Sequence, residues 1–416
     1  MITYSNMQLT RIRQHFPENG LADVKGEVSK ELLKLKPLIK PGASIAVAVG
    51  SRGIKNISEI VKEVTDFIRT NNASPFIVPA MGSHGNAIAE NQAQILADYG
   101  ISEEITGVPV RSSMEVTVLP GGKSPVGAFI DKNAFLADGI ILINRIKPHT
   151  DYHGSYESGL VKMLVIGLGK EKQASAIHSY GVYGLSELIP VVASQIINTG
   201  KIIGGLAIVE NAYDNTMQLT ALRSDEFFEM EPALLKTAKE NMPYLPVDNI
   251  DLLIIDEMGK NLSGVGVDPN IIGRMKIYGQ PEPLKPAIKS IIIADITKES
   301  HGNAIGVGLA DVIPRSLFNK IDFPSTYTNG ITSSFYERIK IPVIAETDRE
   351  AFNIALRGCG YIEKGRERVV RIKNTLHLEE LYVSDAVLEM IKDSDKIEIL
   401  KKNVDLFSEG KFQSFD

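Results

Sequence analysis

Four histidines in the first half of this 416-residue chain stand in segments that could do chemistry. His84 lies in Ala80-Met81-Gly82-Ser83-His84-Gly85-Asn86. His149 and His153 lie in Asn144-Arg145-Ile146-Lys147-Pro148-His149-Thr150-Asp151-Tyr152-His153-Gly154, and His178 follows the glycine-broken run from Lys162 to Lys170. An imidazole gains or loses a proton near neutral pH and ligates metals through a neutral nitrogen, so several on neighbouring loops suit proton transfer or metal binding. Taken singly, each reads more readily as a hydrogen-bonded loop or surface histidine. Lys162 is an ordinary solvated cation unless desolvation or nearby cations keep its amine neutral, when it becomes a nucleophile. Arg52 could grip a carboxylate with both arms of its guanidinium or simply cap its own turn.

The elements that must position these residues follow from hydrophobic periodicity. Ser44 to Val49 reads as a buried strand, and Gly50-Ser51-Arg52-Gly53 ends it. Asn56 and Glu59 offer a capping pair, with Ile57, Ile60, Val61, Val64, Phe67 and Ile68 on one helical face. Further strands are predicted at 76–79, 139–143, 206–209, 252–255, 290–294 and 342–345, and helices over about 87–99, 225–241 and 349–356. Alternating strands and amphipathic helices predict an α/β fold of two α/β domains with largely parallel sheets. Prolines 243 and 246 place the boundary, giving domains 1–245 and 246–416, with a polar, frayed tail after Lys401. The histidines then fall after strands, where parallel sheets collect ligands. Ser83 to Ile88 and Ser300 to Ile305 share Ser-His-Gly-Asn-Ala-Ile, read as chance or local turn chemistry rather than duplication because flanking similarity is thin.

Composition narrows the function. Forty-five basic against 51 acidic residues give a net charge of −6, without a long run of either sign, which disfavours nucleic acid and anionic membranes as partners. Cys359 is the single cysteine, so an internal disulfide, an iron–sulfur cluster and a cysteine-rich zinc site are excluded, and a reducing cytoplasm fits. No stretch approaches the roughly 18 apolar residues of a membrane span, and the N-terminus lacks a leader pattern. Gly50-Ser51-Arg52-Gly53 and Gly167-Leu168-Gly169 miss the dinucleotide spacing, Gly169-Lys170 lacks the rest of a phosphate loop, and zinc-protease and serine-hydrolase motifs are absent.

In order and rough spacing, Gly82-Ser83-His84, Lys147-Pro148-His149, Gly159-Leu160-Val161-Lys162 and His178 resemble the nickel-pincer-nucleotide-dependent lactate racemase family. The resemblance covers most of the first half and is looser in the second. It implies an active site in an interdomain cleft and a nickel-pincer nucleotide, a pyridinium mononucleotide whose two sulfur-bearing arms hold nickel. By resemblance Lys162 is its covalent anchor, His178 the protein ligand to nickel, and His84 and His149 the acid/base pair. Arg52, Lys276 and Arg274 are the candidate substrate contacts, Lys276 and Arg274 following the glycine-rich segment 264–270; surface placement competes for them.

The implied activity is a cytoplasmic racemase or epimerase of a small-molecule 2-hydroxy acid. Abstracting a proton beside an ionised carboxylate creates a very unstable dianion, whereas hydride removal gives a flat 2-keto acid that can take hydride back on either face. Two histidines then serve the hydroxyl of each enantiomer. The expected partners are the substrate and the proteins that make the cofactor; a homo-oligomer stays open. His153 lies in a segment longer than in lactate racemase and competes with His149, which its preceding proline favours. The chain has no tryptophan, whereas lactate racemase places an aromatic residue of that kind near substrate, so the resemblance implies a pocket shaped for something other than lactate. A non-catalytic nucleotide- or metal-binding protein, and a simple metal-dependent lyase or hydrolase, are the alternative readings.

Overall fold

The computed structural model describes residues 7–415, with Arg52 and Lys123 set aside. Two compact units result: Pro17–Met242, and the chain up to Phe16 joined to everything from Pro243 onward.

The first unit is built on five strands in the order Ser74–Pro79, Ser44–Val49, Gly139–Arg145, Ile202–Glu210 and Thr216–Arg223. The first four run parallel and the last antiparallel. Side chains alternate across a strand, so each strand feeds two cores. Ala46, Ala48, Phe76, Val78, Ile140 and Leu142 enter one; Val47, Val49, Ile77, Ile141 and Ile143 enter the other. Helix Ile57–Thr70 closes the second with Ile57, Ile60, Val61, Val64 and Ile68 buried. Helices Ile189–Ile197 and Phe227–Glu240 help close the first. Asn56 occupies the cap position without the expected cap to backbone. Its amide instead donates to the Glu59 carboxylate at 3.3 Å and accepts from Thr216 at 3.2 Å.

Eight strands form the sheet of the second unit: Val343–Ala345, Val312–Pro314, Ala287–Ile296, Asn249–Met258, Val369–Ile372, Glu380–Val383, Gln8–Gln14 and Ile397–Asp405. The first five are parallel and the remaining pairings antiparallel. The expected domain 1–245 therefore starts too early, because Gln8–Gln14 is an inner strand of the C-terminal sheet. The expected frayed tail is also ordered: Ile397–Asp405 is the sheet's edge strand, and a short hairpin pairs Phe407 with Phe412. Lysines 401 and 402 made this segment look like loop, yet exposed lysines are what an edge strand carries to block further pairing. The two Ser-His-Gly-Asn-Ala-Ile segments adopt different backbones, with His84 at φ −60° and His301 at φ 47°. Among the described residues no helix is long and apolar enough to cross a membrane.

Phe407 is 6% exposed, with its ring 5.5 Å from Phe352 and 5.4 Å from Phe412. Phe407→Ala should therefore cost about 3 kcal/mol in urea unfolding. An unchanged unfolding midpoint would mean that the tail does not pack on this sheet.

Candidate functional site

Val49 is in register with both Pro79 and Ile143, so two parallel strands of the first unit end level with each other and the third runs on two residues to Arg145. Ala80 donates to the Val49 carbonyl at 2.7 Å, and the chain turns into the His84 loop. Gly82, at φ 60°, lies so close to Ile166 that a Cβ would sit 3.1 Å from the Ile166 carbonyl; its own N–H donates to Gly167 at 3.1 Å. Buried Gln92 donates to the Gly82 and His84 carbonyls at 3.0 Å each. Behind it Lys170 pairs with Asp131 at 3.1 Å, both side chains fully buried, and donates to the Pro79 carbonyl. Burial pushes the Asp131 carboxyl up and the Lys170 ammonium down, while their attraction opposes both shifts. On this scaffold His84 Nδ1 meets the Ser51 hydroxyl.

A second loop leaves the strand Gly139–Arg145 and is gathered by Glu157, whose side chain is wholly buried. Its carboxylate accepts from the His149 N–H at 2.6 Å, the Gly154 N–H at 3.3 Å and Lys239 at 2.6 Å, and lies 3.3 Å from His153 Nδ1. Burial pushes Glu157 up, but His153, Lys239 and the His149 N–H outweigh it and hold the carboxyl below its ordinary value. His149 Nδ1 accepts from the Asp151 N–H at 3.0 Å, and its Nε2 meets the Lys162 amine. Lys162 ends the turn Leu160–Lys162, which continues into a π-helical turn, Met163–Gly167, where sequence showed only a glycine-broken run.

His178 is the last residue of helix Lys170–His178. Burial and then the charge of Lys162 lower its pKa against an opposing pull from Asp151, a shift toward the neutral imidazole that metals bind. The fold thus joins His149 to Lys162 by contact and couples Lys162, Asp151 and His178 electrostatically. His84 is tied to the same π-turn through Gly82 and Gly167. His153 is 40% exposed and serves Glu157.

Arg52 lies outside the described residues. Arg274 and Lys276 belong to the second unit, with their cations engaged there. Arg274 pairs with Asp311 at 2.7 Å and donates to the Leu309, Ile288 and Lys289 carbonyls. Lys276 donates to Gly308 at 2.8 Å. Both line a depression beside Asn249 and Ala287, the first residues of two parallel strands, and so face away from the carboxyl ends where such sheets bind ligands.

Sequence reasoning missed Ser51, Asn144, Asp151, Glu157 and Glu231. Asp151 had a signal in its spacing from His149. Glu231 had none, because it reaches Val161 from a helix seventy positions further on.

No family model and no curated protein sequence matches the chain. The α/β fold is similar to that of solved proteins. One of them is the lactate racemase apoprotein from Thermoanaerobacterium thermosaccharolyticum, superposing with a TM-score of 0.52 at 15% identity, over 89% of this chain and 99% of that one.

Glu231 sets a pH dependence. Burial raises its carboxyl from 4.5 to about 7, with the Val161 and Leu160 N–H groups opposing the rise. A carboxyl whose folded pKa is raised stays protonated in the folded chain while the unfolded chain ionises. Stability therefore falls as pH rises from 4.5 to about 7 and is level above, by about 3 kcal/mol in all. Urea unfolding at pH 5 and pH 8 should show this decline in the wild type and lose most of it in Glu231→Gln; equal declines in both would remove Glu231 as its source.

Proposed function

We infer that the protein is a racemase or epimerase of a 2-hydroxy acid that works with a tethered nickel-pincer nucleotide. The observation that carries this reading is the Lys162 amine set against His149, with the neutral imidazole of His178 electrostatically coupled to the same amine. The likeness of fold to a lactate racemase apoprotein supports it.

The donor set fits the group. A nickel ion supplied with carbon and sulfur donors by its own nucleotide needs from the protein one soft-compatible nitrogen and one point of attachment. His178 offers the first and Lys162 the second. When bound, the group supplies a reversible hydride acceptor for the substrate's C2 hydrogen. The chain's own residues move the protons.

His149 Nδ1 is engaged by the Asp151 N–H, so Nε2 is the ring atom that exchanges a proton with the substrate hydroxyl. His84 carries the complementary task. Its Nδ1 rests on Ser51, whose hydroxyl can rotate to donate or accept, and the ring can therefore take the hydroxyl proton of one enantiomer and return it in reverse. Glu157 and the pair Lys170–Asp131 keep the two rings in place, so little ordering is left to be done when substrate arrives.

Co-production with the proteins that make the cofactor provides the test. Intact mass should show an adduct that Lys162→Ala abolishes. His178→Ala should lose nickel. His84→Ala and His149→Ala should keep nickel yet lose roughly 10²–10⁴ of the turnover followed by optical rotation on a panel of chiral 2-hydroxy acids. The same adduct on Lys162→Ala, or full racemisation in both histidine variants, refutes the reading. An adduct without any racemisation would favour a binding protein.

A further inference from the structure

The turn that carries Lys162 has no cap of its own. Its first residue follows Gly159, which has no side chain to offer to the free N–H groups of a helix start. The need is met from a distance. Glu231, in helix Phe227–Glu240 and wholly buried, accepts the Val161 N–H through Oε2 at 3.0 Å, with the Leu160 N–H also turned toward it. From the other side the Asn144 amide donates to the Gly159 carbonyl at 2.8 Å. The peptide groups just before Lys162 are therefore held at both their donor and acceptor ends.

Two features set Glu231 apart from an ordinary core residue. Among the described residues its Oε1 is buried without a hydrogen-bond partner, a costly arrangement that a chain selected for stability alone would not keep. And Oε1 fills the space beside Gly159: a Cβ there would lie 2.2 Å from it. Gly159 is extended, at φ −175°, so the backbone does not require glycine; the carboxylate does.

Tyr152 and Tyr156 are the titratable groups whose ionisation Glu231 opposes. Lys239, further along the same helix, is engaged with Glu157. On the strands packed against this helix, Glu210 is paired with Arg145, and Arg223 with Asp225 and Glu226.

We propose that Glu231 is the positioning residue for Lys162, its buried carboxylate fixing the turn Gly159–Val161 and through it the approach of the lysine amine to His149. A lysine stem has four rotatable bonds, so its amine is placed only if its Cα is. Glutamate suits this task because its carboxylate brings no N–H of its own, whereas a glutamine that kept the Val161 bond would place an NH2 group, without an acceptor, in the space beside Gly159 and the Leu160 N–H that Oε1 now fills. The proposal rests on the reading of Lys162 as cofactor anchor for its purpose, though not for its geometry.

The test uses the full-length chain at pH 8 with acetyl N-hydroxysuccinimide ester as probe. Peptide mass spectrometry gives the acetylation rate of Lys162 relative to exposed Lys236. Glu231→Gln and Gly159→Ala should each release the amine from His149 and raise that ratio at least fivefold. The melting temperature of Glu231→Gln should not fall. Leu234→Ala, a core truncation on the same helix, should lower the melting temperature and leave the ratio alone. An unchanged ratio in both site variants, or an equal rise in Leu234→Ala, overturns the proposal. In co-production, adduct formation at Lys162 should fall at least tenfold in both site variants. A wild type that never acquires the adduct counts against the proposed function, and the acetylation ratios then decide the positioning role by themselves.

Discussion

Parallel strands in register end at a common edge, and everything proposed for the first unit hangs on that constraint. Val49, Pro79 and Ile143 lie side by side. The segments that leave them carry Ser51, His84 and His149, and Ser51 could not meet His84 if a strand were displaced by a few residues. The hydrophobic alternation enforces the register, since a shift of one position would turn Ala46 and Ala48 toward the core built for Val47 and Val49. A site made of loops is thus fixed by the packing of residues that never touch it.

Buried charge does the finer placing. Glu157 collects a cation and backbone donors from the loop of His149, and Lys170 with Asp131 stands under the loop of His84. Such groups are expensive to bury and strongly directional once buried, so each dictates where its partners must be. Glu157 is well satisfied, and its acidity is enhanced. Glu231 is half satisfied, and its acidity is suppressed. The difference separates a group that chiefly holds a loop together from one kept despite its cost.

The sequence was most legible where period-two runs are buried on both faces. Strands such as Ser44–Val49 and Gly139–Arg145 announce themselves because Ile45–Val49 and Ile140–Ile143 are unbroken apolar runs bounded by polar or turn residues. His84, His149, Lys162 and His178 could be singled out as candidates because their order and spacing are one-dimensional features. What stayed hidden depends on contacts between distant positions. Glu231 is one of several acidic residues on an amphipathic helix until the fold sets it against Val161. Arg274 and Lys276 follow a glycine-rich stretch and looked ready for a ligand, yet a short helix ended by left-handed Gly273 directs the chain back to the amino edge of its sheet. The closing strand Ile397–Asp405 is polar because it covers an edge, and its pairing could not be read without its partner at the other end of the chain.

That partner has a consequence for how the molecule is made. Gln8–Gln14 is made long before its neighbours in the sheet, because it is sandwiched between Glu380–Val383 and Ile397–Asp405. The C-terminal sheet is therefore completed only after both of those strands have been made. Until then the nascent chain carries an unpaired strand with Leu9 and Ile12, both buried at the end, exposed to its surroundings. Such extreme sequence separation slows folding and lengthens exposure to aggregation, which makes chaperone supply a determinant of yield.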